Sequence, residues 1–308
     1  MKKILITIII LINLIKPANV FALSTTIAKE EINNDTNCNV TLNYYYDDYN
    51  FDNTNIKIYH IASITKDFQY NLSSKFSSYP IKINGLKTDV ELNTLKQTID
   101  SYIIADNIEE LASYSIVNNK VNINNLKPGL YFIKTNKIDT KNYTLIFDSF
   151  LLNLPELTSD GTWNYNLEVY PKIEEYTPKY EDITYTVTKE WIDNPNTRPK
   201  SIEIEIYEDG ILVDSHILSS KNNWTYNWIT KDDGSTWTVV ERNIPKNYNV
   251  SITNKNKNFI IINKDSNYKE ENPKTLDNIN LYFYLLISAS IGLILLTISF
   301  IINKKLER

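Results

Sequence analysis

Three polar residues in the last third of the chain interrupt otherwise apolar faces. In Tyr185-Thr186-Val187-Thr188-Lys189-Glu190-Trp191 the odd positions are Tyr, Val, Lys and Trp. A strand points successive side chains to opposite faces, so Lys189 is expected on the core side with Val187 and Trp191. The same parity puts Glu241 inward with Trp237 and Val239, and Asn263 inward with Phe259 and Ile261. Burying an unpaired ammonium or carboxylate costs on the order of several kcal/mol. Two outcomes are open. One is a Lys189–Glu241 ion pair near a sandwich end, or a lysine that snorkels to solvent. The other is an isopeptide bond within the chain. Desolvation lowers the lysine pKa and raises the carboxyl's. A neutral Lys189 amine can then attack the Asn263 carboxamide, while protonated Glu241 polarises the carbonyl and passes protons to the departing ammonia.

Such chemistry needs strands to aim it. Residues 183–264 are strand-like throughout: Ile202, Ile204 and Ile206 alternate with Ser201, Glu203 and Glu205, and Glu208-Asp209-Gly210 marks a hairpin turn. Trp224–Trp228, Thr236–Val240 and Phe259–Ile262 supply further strands. Many short strands in so short a span predict a β-sandwich. Residues 40–172 read as mostly β, with Ile56–Ile61 alternating and an apolar strand after the Pro128-Gly129 turn. A helix interrupts them. Thr88 and Glu91 form a capping box, and Leu92, Leu95, Ile99, Tyr102 and Ile103 recur at helical spacing. A short second helix is expected over Asp106–Ala112, capped by Asp106. Residues 173–182 read as a charged linker, and 23–39 as a polar flexible leader holding Cys38 as a bystander thiol.

The two ends carry targeting patterns. Lys2 and Lys3, the apolar run Ile4–Ile15 and Val20-Phe21-Ala22 make residues 1–22 a signal peptide. Leu281–Ile302 is uncharged; as a helix it spans roughly 33 Å, enough for a bilayer core. The expected membrane helix is 278–303, with a basic cytoplasmic tail at 304–308 and an exported middle. That middle holds 26 basic against 35 acidic residues, a net of −9. Nucleic acid and anionic membrane surfaces are therefore excluded as partners. One cysteine permits no internal disulfide. His60 and His216 are far apart without spaced carboxylates, so no metal site, cofactor or Ser-His-Asp triad is expected.

Thr186–Trp191 (TVTKEW), Arg198–Ile202 (RPKSI), Tyr207–Gly210 (YEDG), Asn223–Tyr226 (NWTY) and Trp237–Glu241 (WTVVE) resemble, in that order, a collagen-adhesin B-type (CnaB) domain. The resemblance covers essentially all of 183–264. It implies an immunoglobulin-like sandwich of Gram-positive surface proteins, with Lys189 as bonding lysine, Glu241 as catalytic acid and Asn263 as acceptor. Leu130-Tyr131-Phe132, Phe150–Pro155 and Trp163–Lys172 (WNYNLEVYPK) resemble the N-terminal domain of sortase-assembled pilins. Val169-Tyr170-Pro171-Lys172 looks like the pilin motif, whose lysine accepts the C-terminal threonine of another subunit. Ile173 stands where shaft pilins carry asparagine, and a plain linker lysine is the alternative. The Thr41–Tyr46 strand has no lysine, so no second isopeptide triad is expected there. Asn272-Pro273-Lys274-Thr275-Leu276-Asp277, the apolar span and the basic tail resemble a cell-wall sorting signal. Sortase would cleave after Thr275, although Asn272 replaces the usual leucine and Leu276 the usual glycine; a plain membrane anchor is the alternative.

The fold class expected is all-β: two tandem immunoglobulin-like (CnaB-type) sandwiches at 40–172 and 183–264, the first with a helical insertion. A stalk at 265–277 would carry the sorting motif. The function expected is structural: a wall-anchored minor or basal pilus subunit, not an enzyme on outside substrates. Sortase, other pilin subunits and peptidoglycan are the partners this implies. The alternative is a monomeric adhesin gripping a host or matrix ligand through its first domain, with Tyr44, Tyr45 and Tyr46 as a surface patch.

Overall fold

The computed structural model describes residues 28–268, whose regular structure is almost entirely strand. The N-terminal β-region is built on a five-stranded sheet whose central strands are Asn55–Ile64 and Gly129–Thr135. Both are covered on two faces, which is why Leu130-Tyr131-Phe132-Ile133 is continuously apolar. Gly129 sits where a Cβ would come within 2.4 Å of the Ala62 carbonyl, so this close strand pairing requires glycine. One face packs Ile56, Ile58, Tyr131, Ile133 and Leu152 against Val40, Leu42, Val121 and Ile123 of a smaller sheet. In that sheet Cys38–Asn43 runs parallel to Asn166–Val169 and antiparallel to Lys120–Leu126.

The other face carries the helix Asp89–Ala105. Thr88 caps it as expected: the Glu91 N–H donates to Thr88 Oγ1, and the Thr88 N–H donates to the Glu91 carboxylate. Leu95, Ile99, Tyr102 and Ile103 belong to a buried cluster that runs on into the C-terminal β-region. That region pairs a four-stranded sheet, ordered Thr225–Lys231, Asp182–Ile192, Asn258–Asp265, Tyr248–Lys255, with a three-stranded one, ordered Ile211–Ser219, Ser201–Glu208, Trp237–Arg242. Its first and last strands lie side by side and parallel. The hairpin turn falls at Asp209-Gly210, both at positive φ, as a two-residue turn demands.

Four expectations need correction. Residues 28–39 are tied down: Ile32 is buried, the Lys29 N–H donates to Gly161 O and Trp163 Nε1 donates to Glu30 O. Cys38 begins the first strand inside the core, where burial pushes its thiol pKa up to about 11; it is a packing residue. No second helix follows Asp106, which ends the first one; Asn107 turns left-handed, and Ala112–Ser115 is a strand on Asn55–Ile64. Charge patterning misled at the linker, because an edge strand needs few apolar residues and tolerates exposed Glu174 and Glu175. Ile173–Tyr176 pairs with Thr144–Phe147, and the next strand begins at Asp182.

Residues 28–266 form one compact unit. Tyr248–Lys255 is an edge strand, and the N-terminal region satisfies its outer amides. The Val250 N–H donates to Pro80 O (2.9 Å), Ile252 N–H to Thr98 Oγ1 (2.8 Å) and Asn254 N–H to Gln97 Oε1 (2.6 Å). Arg242 adds a charged tie, donating from Nη1 to Asp106 and from Nε to Glu205, each at 2.6 Å. Thr98→Val keeps the shape but leaves the buried Ile252 amide without an acceptor. It should cost about 1–3 kcal/mol, read as a lower denaturant midpoint with an unchanged slope.

Candidate functional site

The three residues singled out by parity meet in the core of the C-terminal sandwich. Lys189 (4% exposed) and Asn263 (0%) come from adjacent parallel strands of one sheet, and Glu241 (1%) from the opposite sheet. Lys189 pairs with Ile261 and Trp191 with Asn263, so the lysine and the amide share a face one step apart. Lys189 Nζ lies 3.5 Å from Glu241 Oε2 and donates to Glu190 O at 2.9 Å. It also stands 4.1 Å from the centre of the Trp191 ring. Asn263 Nδ2 donates to Glu241 Oε1 at 2.8 Å. The carboxylate thus bridges amine and amide.

Electrostatics push the pair toward its neutral forms. Burial drives the Lys189 pKa down to about 8, with Glu241 pulling the other way. Burial raises Glu241, and Lys189 and the Asn263 hydrogen bond only partly offset it. Glu241 Oε2 has the Lys189 amine as its ion-pair partner, while among the described residues Asn263 Oδ1 has no hydrogen-bond partner. A buried amide oxygen without a partner beside a buried ion pair calls for an explanation beyond packing.

The wall behind the lysine lies where strand parity carries no information. Asp193 is buried, accepts from Arg198 Nε at 2.6 Å and from the Tyr248 hydroxyl at 2.8 Å, and so fixes the Trp191 end of the site. Asp193 lies just beyond the strand, where alternation stops giving information. Arg198 falls within the RPKSI stretch and was the available signal.

Other expected sites scatter. Lys172 lies on the surface, its side chain 52% exposed, bonded to Glu174 and 3.7 Å from Asp148. The Glu174 bond and the Asp148 charge raise its pKa. The tyrosine patch does not form: Tyr44 is buried against Thr135, Tyr46 donates to Glu175, and Tyr45 alone of the three stands open. Asn272, Pro273, Lys274, Thr275 and Leu276, the expected signal peptide at 1–22 and the expected membrane helix at 278–303 lie outside the described residues. Among those described, no group of three or more His, Cys, Asp or Glu could hold a metal ion.

Residues 185–264 match the family model "Cna protein B-type domain". That stretch is similar to a CnaB-type domain and coincides with the C-terminal sandwich. A curated relative, "Collagen adhesin" of Staphylococcus aureus, is 24% identical over 221 residues, covering 59% of this chain. The chain spans only 18% of that protein's length. Similar solved structures include a single B repeat unit of the S. aureus collagen binding surface protein (18% identity, 75% of this chain, 98% of that one, TM-score 0.26). The shaft pilin spaA of Lactobacillus rhamnosus GG gives 17% identity, 76% and 100% coverage and a TM-score of 0.27. The major pilin SpaD of Corynebacterium diphtheriae gives 14%, 76%, 65% and 0.30.

Asp193→Asn should retain the Tyr248 bond and lose the charge pairing with Arg198. A loss of roughly 1–2 kcal/mol in denaturant unfolding is expected, larger for Asp193→Ala, which strands both donors.

Proposed function

We propose that this chain is a structural cell-surface protein whose CnaB-type domain is sealed by a bond between Lys189 Nζ and Asn263 Cγ. The observation that carries it is Glu241 bridging a buried amine and a buried amide, 3.5 Å from one and 2.8 Å from the other. In the reaction the Nζ–Cγ bond forms and the Cγ–Nδ2 bond breaks. Glu241 takes a proton from the amine and delivers one to the leaving nitrogen, which departs as ammonia; the carboxyl ends as it began. An ionised Glu241 favours the amide orientation described above, with Nδ2 toward it. A protonated one favours the amide turned by 180°, so that the acid donates to Oδ1 and polarises the carbonyl.

Only the state with one proton shared by the pair contains both a neutral amine and an acid. Bond formation should therefore trace a bell in pH. It falls above about 8, where the shared proton is lost, and falls below the raised Glu241 pKa, where the amine is held as ammonium. Intact mass during refolding measures this as loss of one ammonia. Glu241→Ala should abolish the loss at every pH; a Glu241→Ala chain that still crosslinks would falsify the assignment.

The wider reading is a minor or basal pilus subunit held in the wall. A signal peptide at 1–22, sorting at Thr275 ahead of the 278–303 span, and Lys172 as the acceptor lysine complete it. Supporting Lys172 are its exposure and its place at the end of Asn166–Val169, beside Pro171. Its amine is held protonated by Glu174 and Asp148, so transfer from a sortase thioester needs a base to free it. Boiled wall extracts should show a high-mass ladder that disappears in Lys172→Ala. A single band in the wild type would favour the monomeric adhesin instead.

A further inference from the structure

The wall behind Lys189 carries two charges that the bond chemistry itself does not use. Asp193 follows directly on the strand of Lys189 and Trp191, and its side chain is 0% exposed. Its carboxylate accepts from Arg198 Nε at 2.6 Å and from the Tyr248 hydroxyl at 2.8 Å. The Trp191 ring joins this pair to the amine. Lys189 Nζ stands 4.1 Å and Arg198 Cζ 5.9 Å from its centre, and Tyr248 meets it edge-on at 5.5 Å. Three charged groups therefore act on the amine: Glu241 from the opposite sheet, Asp193 beyond the end of its own strand, and Arg198 just after the short turn Pro195–Thr197. Its neutral contacts are the Glu190 and Ile261 carbonyls.

A buried carboxylate with no cation beside it favours the ammonium form of a nearby lysine, because a fixed negative charge is poorly screened in a low-dielectric wall. Arg198 opposes that pull. Burial is the main cause lowering the Lys189 pKa; Glu241 and Asp193 work against it, and Arg198 works with it. We propose that Arg198 is a positioning residue for the bond-forming amine: its guanidinium screens the buried Asp193 carboxylate from Lys189, so that the amine can release its proton to Glu241. This rests on the reading of Lys189, Glu241 and Asn263 as a bond-forming set. The proton passes from Nζ to the Glu241 carboxylate, leaving amine and acid both neutral, and ammonia remains the only loss.

The test is refolding of full-length chain from denaturant in detergent, starting before any bond has formed. Intact mass times the ammonia loss across pH, and tryptophan fluorescence times folding. Arg198→Gln keeps an amide donor for Asp193 and removes the charge. With a cation gone, protonated forms are favoured, so both limbs of the bell should move to higher pH, the alkaline one by about half a unit. Bond formation at neutral pH should slow roughly threefold. Asp193→Asn removes the opposite charge and should move both limbs to lower pH. The double variant should place them between the two. A purely structural wall behaves differently: loosening it admits water, which raises the Lys189 pKa and lowers that of Glu241, so either variant would spread the limbs apart. Limbs that spread, or that stay put in both single variants, overturn the proposal and leave the bond-forming set standing. A wild type that never loses ammonia sinks that underlying reading instead. Should Arg198→Gln not fold, Asp193→Asn decides alone: both limbs lowered supports the proposal, any other pattern overturns it. If neither single variant folds, the pair serves the fold and the proposal falls.

Discussion

Dehydration of an amine, an acid and an amide inside one sandwich is the constraint around which the C-terminal region is arranged. In water the three would be indifferent to one another, the lysine protonated and the amide inert. Closing Val187, Val239, Phe259 and Ile261 around them removes the solvent that keeps lysine and carboxyl apart in charge. An ordinary core would place leucine or valine at these positions and gain stability from it. Retaining polar groups there costs free energy unless the arrangement returns it as a bond. The unpartnered Asn263 Oδ1, beside a desolvated ion pair, is that cost visible in the geometry.

The dryness is not the C-terminal region's own achievement. Its four-stranded sheet ends in the edge strand Tyr248–Lys255, and an open edge beside the site would let water and partner strands in. Thr98, Gln97 and Pro80 close that edge, while the helix packs over the end of the strand that carries Glu241. The helix is therefore shared: one side covers the N-terminal sheet and the other shields the neighbouring sandwich. This explains a helix interrupting an otherwise all-strand chain, and why Thr98 and Ser101 are buried on it.

Much of this was legible in the residues themselves. Strand alternation located Lys189, Glu241 and Asn263 because a half-buried strand has a strict period of two, so a polar residue out of phase cannot hide. The capping box at Thr88 was equally readable, being local. What the chain did not reveal is what distant segments do to each other. Tyr102 looked like one more apolar helix position, since periodicity reports that a side chain is inward and not what it faces. Cys38 and Ile32 looked like leader because polar neighbours diluted them, yet pairing with Asn166–Val169 and the Trp163 bond anchor the segment. Ile173–Tyr176 looked like linker because an edge strand needs few apolar residues. Tyr44, Tyr45 and Tyr46 read as one patch because adjacency in sequence was mistaken for adjacency in space.

A bond between Lys189 and Asn263 has a mechanical meaning set by topology. The strands it would join are hydrogen-bonded neighbours running parallel, with the chain entering at one end and leaving at the other. Tension applied through the two ends shears this pair along its length, loading every hydrogen bond between them at once. A covalent link near the exit end of both strands shortens that path: force passes from Lys189 to Asn263 without drawing on the rest of the sandwich. By analogy with disulfide loops, closing the intervening segment would also restrict the unfolded chain by about 4 kcal/mol. With Cys38 the only cysteine and itself buried, no disulfide within the chain could supply either benefit, so the proposed amide bond would fill a role the composition leaves vacant.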